Sequence, residues 1–95
     1  MFSLQQAVQA SPALARMAER VRQSQAMLKT VQPHLPAGLR PWVQAGPVDD
    51  DGSWCLLVAN PAAGSKLRQL APALVAALRV AGYPVPQLRI KVRKP

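Results

Sequence analysis

Residues 49–61 read DDDGSWCLLVANP, and the organisation of the whole chain follows from them. Ser53–Ala59 (SWCLLVA) is a continuous apolar run bounded by turn residues, the pattern of a buried strand. Just before it, Asp51-Gly52 is hairpin chemistry, because both residue types tolerate the positive φ of a tight reversal. Just after it, Asn60-Pro61 is a helix start: the side-chain oxygen accepts from first-turn amides, and proline has no N–H to leave unsatisfied there. A hairpin, a buried strand and a helix are therefore encoded within thirteen residues.

Upstream, the hairpin partner is expected in Leu39–Ala45, with Trp42 in that first strand and Gly46–Gly52 as the connection. Ser11-Pro12 repeats the cap-and-proline signature. From there Leu14, Met17, Val21, Leu28 and Val31 recur at helical spacing until Pro33 and Pro36 stop the helix. The Leu14/Met17/Val21 stripe is expected to cover the sheet, a dimer contact being its other use. Residues 1–10 are expected to be a flexible or short helical segment, and 11–95 a single domain.

Downstream of Asn60, an apolar stripe through Leu67, Leu70, Leu74, Val75, Leu78 and Ala81 predicts a second amphipathic helix, kinked or divided at Pro72 and closed by Gly82. The last run, Leu88–Arg93, alternates strictly. A strand there turns Leu88, Ile90 and Val92 inward and Arg89, Lys91 and Arg93 outward. The crossover of about two dozen residues fits parallel pairing with the preceding strand. The fold class is α+β, in the order α-β-β-α-β, with a three-stranded sheet covered by helices on one face.

Twelve Lys and Arg against four acids give a net charge of +8, and three of the acids are the consecutive Asp49, Asp50 and Asp51. Such a field favours polyanionic partners. The chemistry of catalysis is thinly supplied: one His, one Cys and four acids. Cys55 lies inside the apolar strand and reads as a small packed residue, and His34 as a turn residue between Pro33 and Leu35. The contiguous aspartates lack the alternating spacing of a calcium loop and read as a solvated hairpin tip. No nucleotide-binding glycine motif is present. The expectation is a non-enzyme that needs no cofactor, binds no metal, small-molecule substrate or membrane, and sits in the reducing cytoplasm.

The outward row Arg89, Lys91, Arg93 and Lys94 is spaced at the strand repeat and suits successive phosphates of a nucleic-acid backbone. Lys66 and Arg68 on the second helix, and Arg16 and Arg20 on the first, are further candidates for the same surface. No recognition element for base edges is evident, so binding is expected to be largely indifferent to sequence. Trp42 is the better placed of the two tryptophans to stack on an unpaired base.

Over residues 25–95 the chain resembles the DciA-like proteins, a bacterial family. The matching pieces are HLPAGLR, DDDGSWCLLVAN, KLRQLAPALVAAL and the closing QLRIKV. The resemblance implies a KH-like domain that binds DNA, associates with the replicative helicase DnaB and assists its loading, acting at the nucleoid. Type II KH domains run α-β-β-α-α-β, which this order matches if the helix containing Pro72 is split. The G-x-x-G clamp of nucleic-acid-binding KH domains is absent, with Gly64-Ser65-Lys66 in its region.

Overall fold

Ser11 and Asn60 act as the two caps. Ser11 Oγ accepts from the Leu14 amide at 3.3 Å, and Asn60 Oδ1 from the Ala63 amide at 2.8 Å. Each is followed by a proline and a 20-residue helix, α1 over Pro12–Val31 and α2 over Pro61–Val80. The structure, a computed structural model, describes residues 11–93. The expected N-terminal segment 1–10 and Lys94 lie outside the described residues.

The strands are β1 (Val43–Val48), β2 (Trp54–Val58) and β3 (Leu88–Val92), in the sheet order β1-β2-β3. β1 and β2 are antiparallel, while β2 and β3 are parallel with Trp54 beside Leu88 and Val58 beside Val92. The order α-β-β-α-β is the one expected. Trp54, Leu56 and Val58 point to one face, where they meet Met27 and Val31 of α1 and Leu67, Leu74 and Leu78 of α2 in a single apolar core. Leu88 and Ile90 pack partly against it, which turns Arg89 and Lys91 to the opposite face.

Three local expectations change. The first strand starts later than Leu39, because Arg40–Trp42 forms a 3₁₀ turn with Pro41 at its start. Proline supplies no ladder donor but suits a turn. β1 then runs through Gly46-Pro47, which sequence alone places in the connection. The ladder bulges there: Ala45 faces Leu56 and Val48 faces Trp54, so Gly46 and Pro47 together oppose Cys55. An edge strand tolerates this missing amide. Gly46 is required by close approach, since a Cβ would lie 2.6 Å from the Cys55 carbonyl oxygen.

α2 is not divided at Pro72. That residue lies on the exposed side of the helix, so the Arg68 carbonyl deprived of its amide partner faces water. The extra helix boundary that a type II KH order would require is therefore not formed. Gly82, at φ 94°, follows the helix end as its sequence position suggests.

The third change concerns α1. At 20 residues it is about 30 Å long, against roughly 17–20 Å for strands of five or six residues. Only its C-terminal half reaches the core, through Ser24, Met27 and Val31. Leu14, Met17 and Val21 are 46%, 63% and 61% exposed, with Met17 and Val21 across an open groove from the Gly46-Pro47 edge, so the stripe does not close over the sheet.

α1 is fixed to the sheet by a polar relay. The fully buried Trp54 donates from Nε1 to Ser24 Oγ at 2.9 Å, and Ser24 Oγ donates to the Gly46 carbonyl at 2.6 Å. Ser24→Ala leaves both outer groups unpaired and is expected to cost about 1–3 kcal/mol in denaturant unfolding. A loss under about 0.5 kcal/mol would show that the relay contributes little.

Candidate nucleic-acid interface

The acidic hairpin tip organises the charges at one end of the sheet. The Asp49 amide donates to the Ser53 carbonyl at 2.8 Å, and the Gly52 amide to the Asp49 carbonyl at 3.0 Å, with Gly52 at φ 87°. The Ser53 amide donates to Asp51 Oδ1 at 2.9 Å. This amide, more than any charge, holds the Asp51 carboxyl below its usual range. Asp50 pairs with Arg20 at 2.7 Å and Asp49 with Arg89 at 3.3 Å. The triplet is thus a solvated tip, with Asp50 93% exposed, that is also engaged residue by residue with the turn, α1 and β3.

Two of the candidate phosphate-binding residues, Arg20 and Arg89, therefore carry their own carboxylates. Arg22 is likewise shared with Glu19 at 3.3 Å. Arg16, one turn before Arg20, is exposed on the overhanging half of α1. These residues gather at the tip end, where the carboxylates offset their charge.

The opposite end differs. The register places Gln44, Leu57 and Lys91 side by side across the three strands. One step on, the Ala59 amide donates to the Trp42 carbonyl at 3.0 Å and the Arg93 amide to the Val58 carbonyl at 2.7 Å. Trp42, Ala59 and Arg93 thus form the next transverse row, about 10 Å across three strands. Lys91 and Arg93 are exposed, and the Arg93 guanidinium donates to the neutral Gln44 side-chain oxygen. Among the described residues, neither has a carboxylate within salt-bridge distance.

Trp42 is half exposed, at 50%. It borders a groove of about 480 Å³ whose other walls include Leu39, Ala62, Ala63 and Lys66. Lys66 is exposed and lines the same groove as Trp42. Arg68 is four residues after Gly64, whose Cα is backed by Val58 and Val92, and so lies on the β3 flank of α2. The structure thus brings Lys91, Arg93, Lys66 and Arg68 to one end of the sheet with Trp42 among them, and leaves Arg16, Arg20 and Arg89 at or beyond the other.

The loop before Trp42 is braced from within. Arg40 Nε donates to the carbonyls of Gln32 at 3.0 Å and Leu35 at 3.1 Å, and the Trp42 amide donates to the Leu39 carbonyl at 3.0 Å. Arg40 is therefore occupied in positioning the loop. Sequence reading passed over this role; the only local hint was an arginine between two proline-containing turns.

Cys55 is buried but lies in the outward row beside Arg89 and outside the main core cluster. Burial pushes its thiol above the usual value, so it stays protonated at neutral pH. No protein-family model matches this chain, and no curated protein is significantly similar to it. Among the described residues, no helix is long and apolar enough to cross a membrane.

A packed, protonated Cys55 should react with a maleimide at pH 7 at least about tenfold more slowly in the native protein than in denaturant. Equal rates would mean that the strand exposes its thiol.

Proposed function

We propose that this protein is a non-catalytic DNA-binding accessory of the replicative helicase, of the DciA-like kind, which assists loading of DnaB in DNA replication at the bacterial nucleoid. The observation that carries the DNA-binding part is the row of Lys91 and Arg93, which among the described residues has no carboxylate within salt-bridge distance, with Lys66 and Arg68 at the same end of the sheet. Successive outward residues on a strand are roughly 6.7 Å apart, within reach of neighbouring phosphates. The +8 charge adds long-range attraction, while the acids concentrated at the tip direct a polyanion to the other end.

The helicase part rests on the resemblance carried by HLPAGLR, DDDGSWCLLVAN, KLRQLAPALVAAL and QLRIKV. A KH-like description is compatible with the α-β-β-α-β order, without the extra helix or the G-x-x-G clamp. A second reading, a protein-interaction adaptor whose nucleic-acid affinity is incidental, is favoured by a separate feature. Met17 and Val21 of the exposed Leu14/Met17/Val21 stripe line an apolar groove of about 420 Å³ between α1 and the Gly46-Pro47 bulge. Such patches mark protein contacts. The two readings part on whether purified DnaB binds the protein together with DNA or displaces it.

Replacing Lys66, Lys91 and Arg93 together by alanine should flatten the log–log salt dependence of DNA binding by roughly 2–3 units. Arg20→Ala, which removes an already paired charge, should change it by less than about half a unit. An unchanged slope in the triple variant would move the assignment to the adaptor.

A further inference from the structure

We propose that the groove beside Trp42 is a base-stacking site that makes this surface selective for single-stranded DNA: an unpaired base lies on the Trp42 indole while the flanking phosphates meet Lys66 and Arg93. The inference rests on the nucleic-acid reading above and adds which form of DNA is bound, and by which side chain.

Trp54 and Trp42 divide the two roles open to an indole. Trp54 is fully buried with its N–H satisfied by Ser24, whereas Trp42 keeps half its surface in water. That half-open aromatic face is available to a flat apolar partner. Gly38, Ala62 and Ala63 around it are small, which leaves the groove open to a planar group. Trp42 is also anchored through its main chain before any ligand arrives. Its backbone is tied on both sides, by the amide to Leu39 and the carbonyl to Ala59, and Arg40 locks the preceding loop. Little ordering cost remains on binding.

Charge completes the match. Lys66 lines the groove itself, and Arg93 sits in the same transverse row of the sheet as Trp42, across Ala59. A base on Trp42 therefore has a cation on either side of it for the phosphates before and after. In a duplex the bases stack on one another and their faces are closed to a side chain, so a double strand can use only the cations.

The test is fluorescence anisotropy with a labelled 15-nucleotide single strand and the corresponding duplex, on wild type, Trp42→Ala, Trp42→Phe and the Lys91→Ala/Arg93→Ala variant. Trp42→Ala should weaken single-strand binding roughly 5- to 100-fold, leave duplex binding within about twofold, and preserve the salt slope. Trp42→Phe should retain most of the affinity. Indole emission should fall when single strand is added to wild type and not when it is added to Trp42→Ala, in which Trp54 remains. Equal losses on both DNA forms, or no loss while the charge variant still binds weakly, would overturn stacking and leave the cationic interface standing. Failure of wild type to bind either form would overturn both.

Discussion

The hydroxyl of Ser24 is the joint on which the arrangement depends. Trp54 is among the largest side chains sealed in the core, and its indole N–H needs an acceptor where water does not reach. Gly46, in the bulge, has a carbonyl freed from regular pairing. One hydroxyl on α1 satisfies both groups, so burial of the tryptophan, the position of the helix and the irregularity of the edge strand are solved together. Gly46 in turn must lack a side chain for β1 to approach Cys55 closely. Attached at Ser24, α1 runs past the hairpin tip, which puts Arg20 beside Asp50.

From that joint follows the sorting of charge. The three aspartates are confined to the tip, and there they engage Arg20, Arg89 and the turn's own amide. Exposed ion pairs of this kind add about 0–1 kcal/mol each to stability, so their larger effect is on where positive potential remains. It remains at the far end of the sheet, with Lys91, Arg93 and Lys66 around an exposed indole. A chain with +8 spread evenly would attract a polyanion without orienting it; this one has a charge-compensated end and an attracting end.

Much of the fold was legible because its signals are local. Ser11-Pro12 and Asn60-Pro61 start helices through their own side chains, SWCLLVA can be little but a buried strand, and the alternation of Leu88–Val92 sets which face carries charge. What escaped is tertiary. Nothing in DDD says which arginine each carboxylate meets, and a stripe at 14, 17 and 21 does not reveal that the helix outlasts the sheet it covers. Pro72 reads as a kink or a break, and which of the two is set by the exposed side of α2 on which it lies. Gly46-Pro47 was a fair hint of an interrupted strand, but it was read as part of a connection. Of the candidate site, the outward alternation of Lys91 and Arg93 is readable, while the groove shared by Lys66 and Trp42 requires the start of β1 and of α2 to be placed in space.

The central claim is that nucleic acid meets the end of the sheet away from the acidic tip. Backbone amide chemical shifts, followed by NMR as a short oligonucleotide is titrated in, locate the contact without substitution. Changes are expected to cluster on Trp42, Ala59, Lys66, Lys91 and Arg93, with residues 49–53 and Leu14–Val21 unmoved. Changes concentrated at the tip or on the exposed half of α1, with the Trp42 row silent, would contradict it.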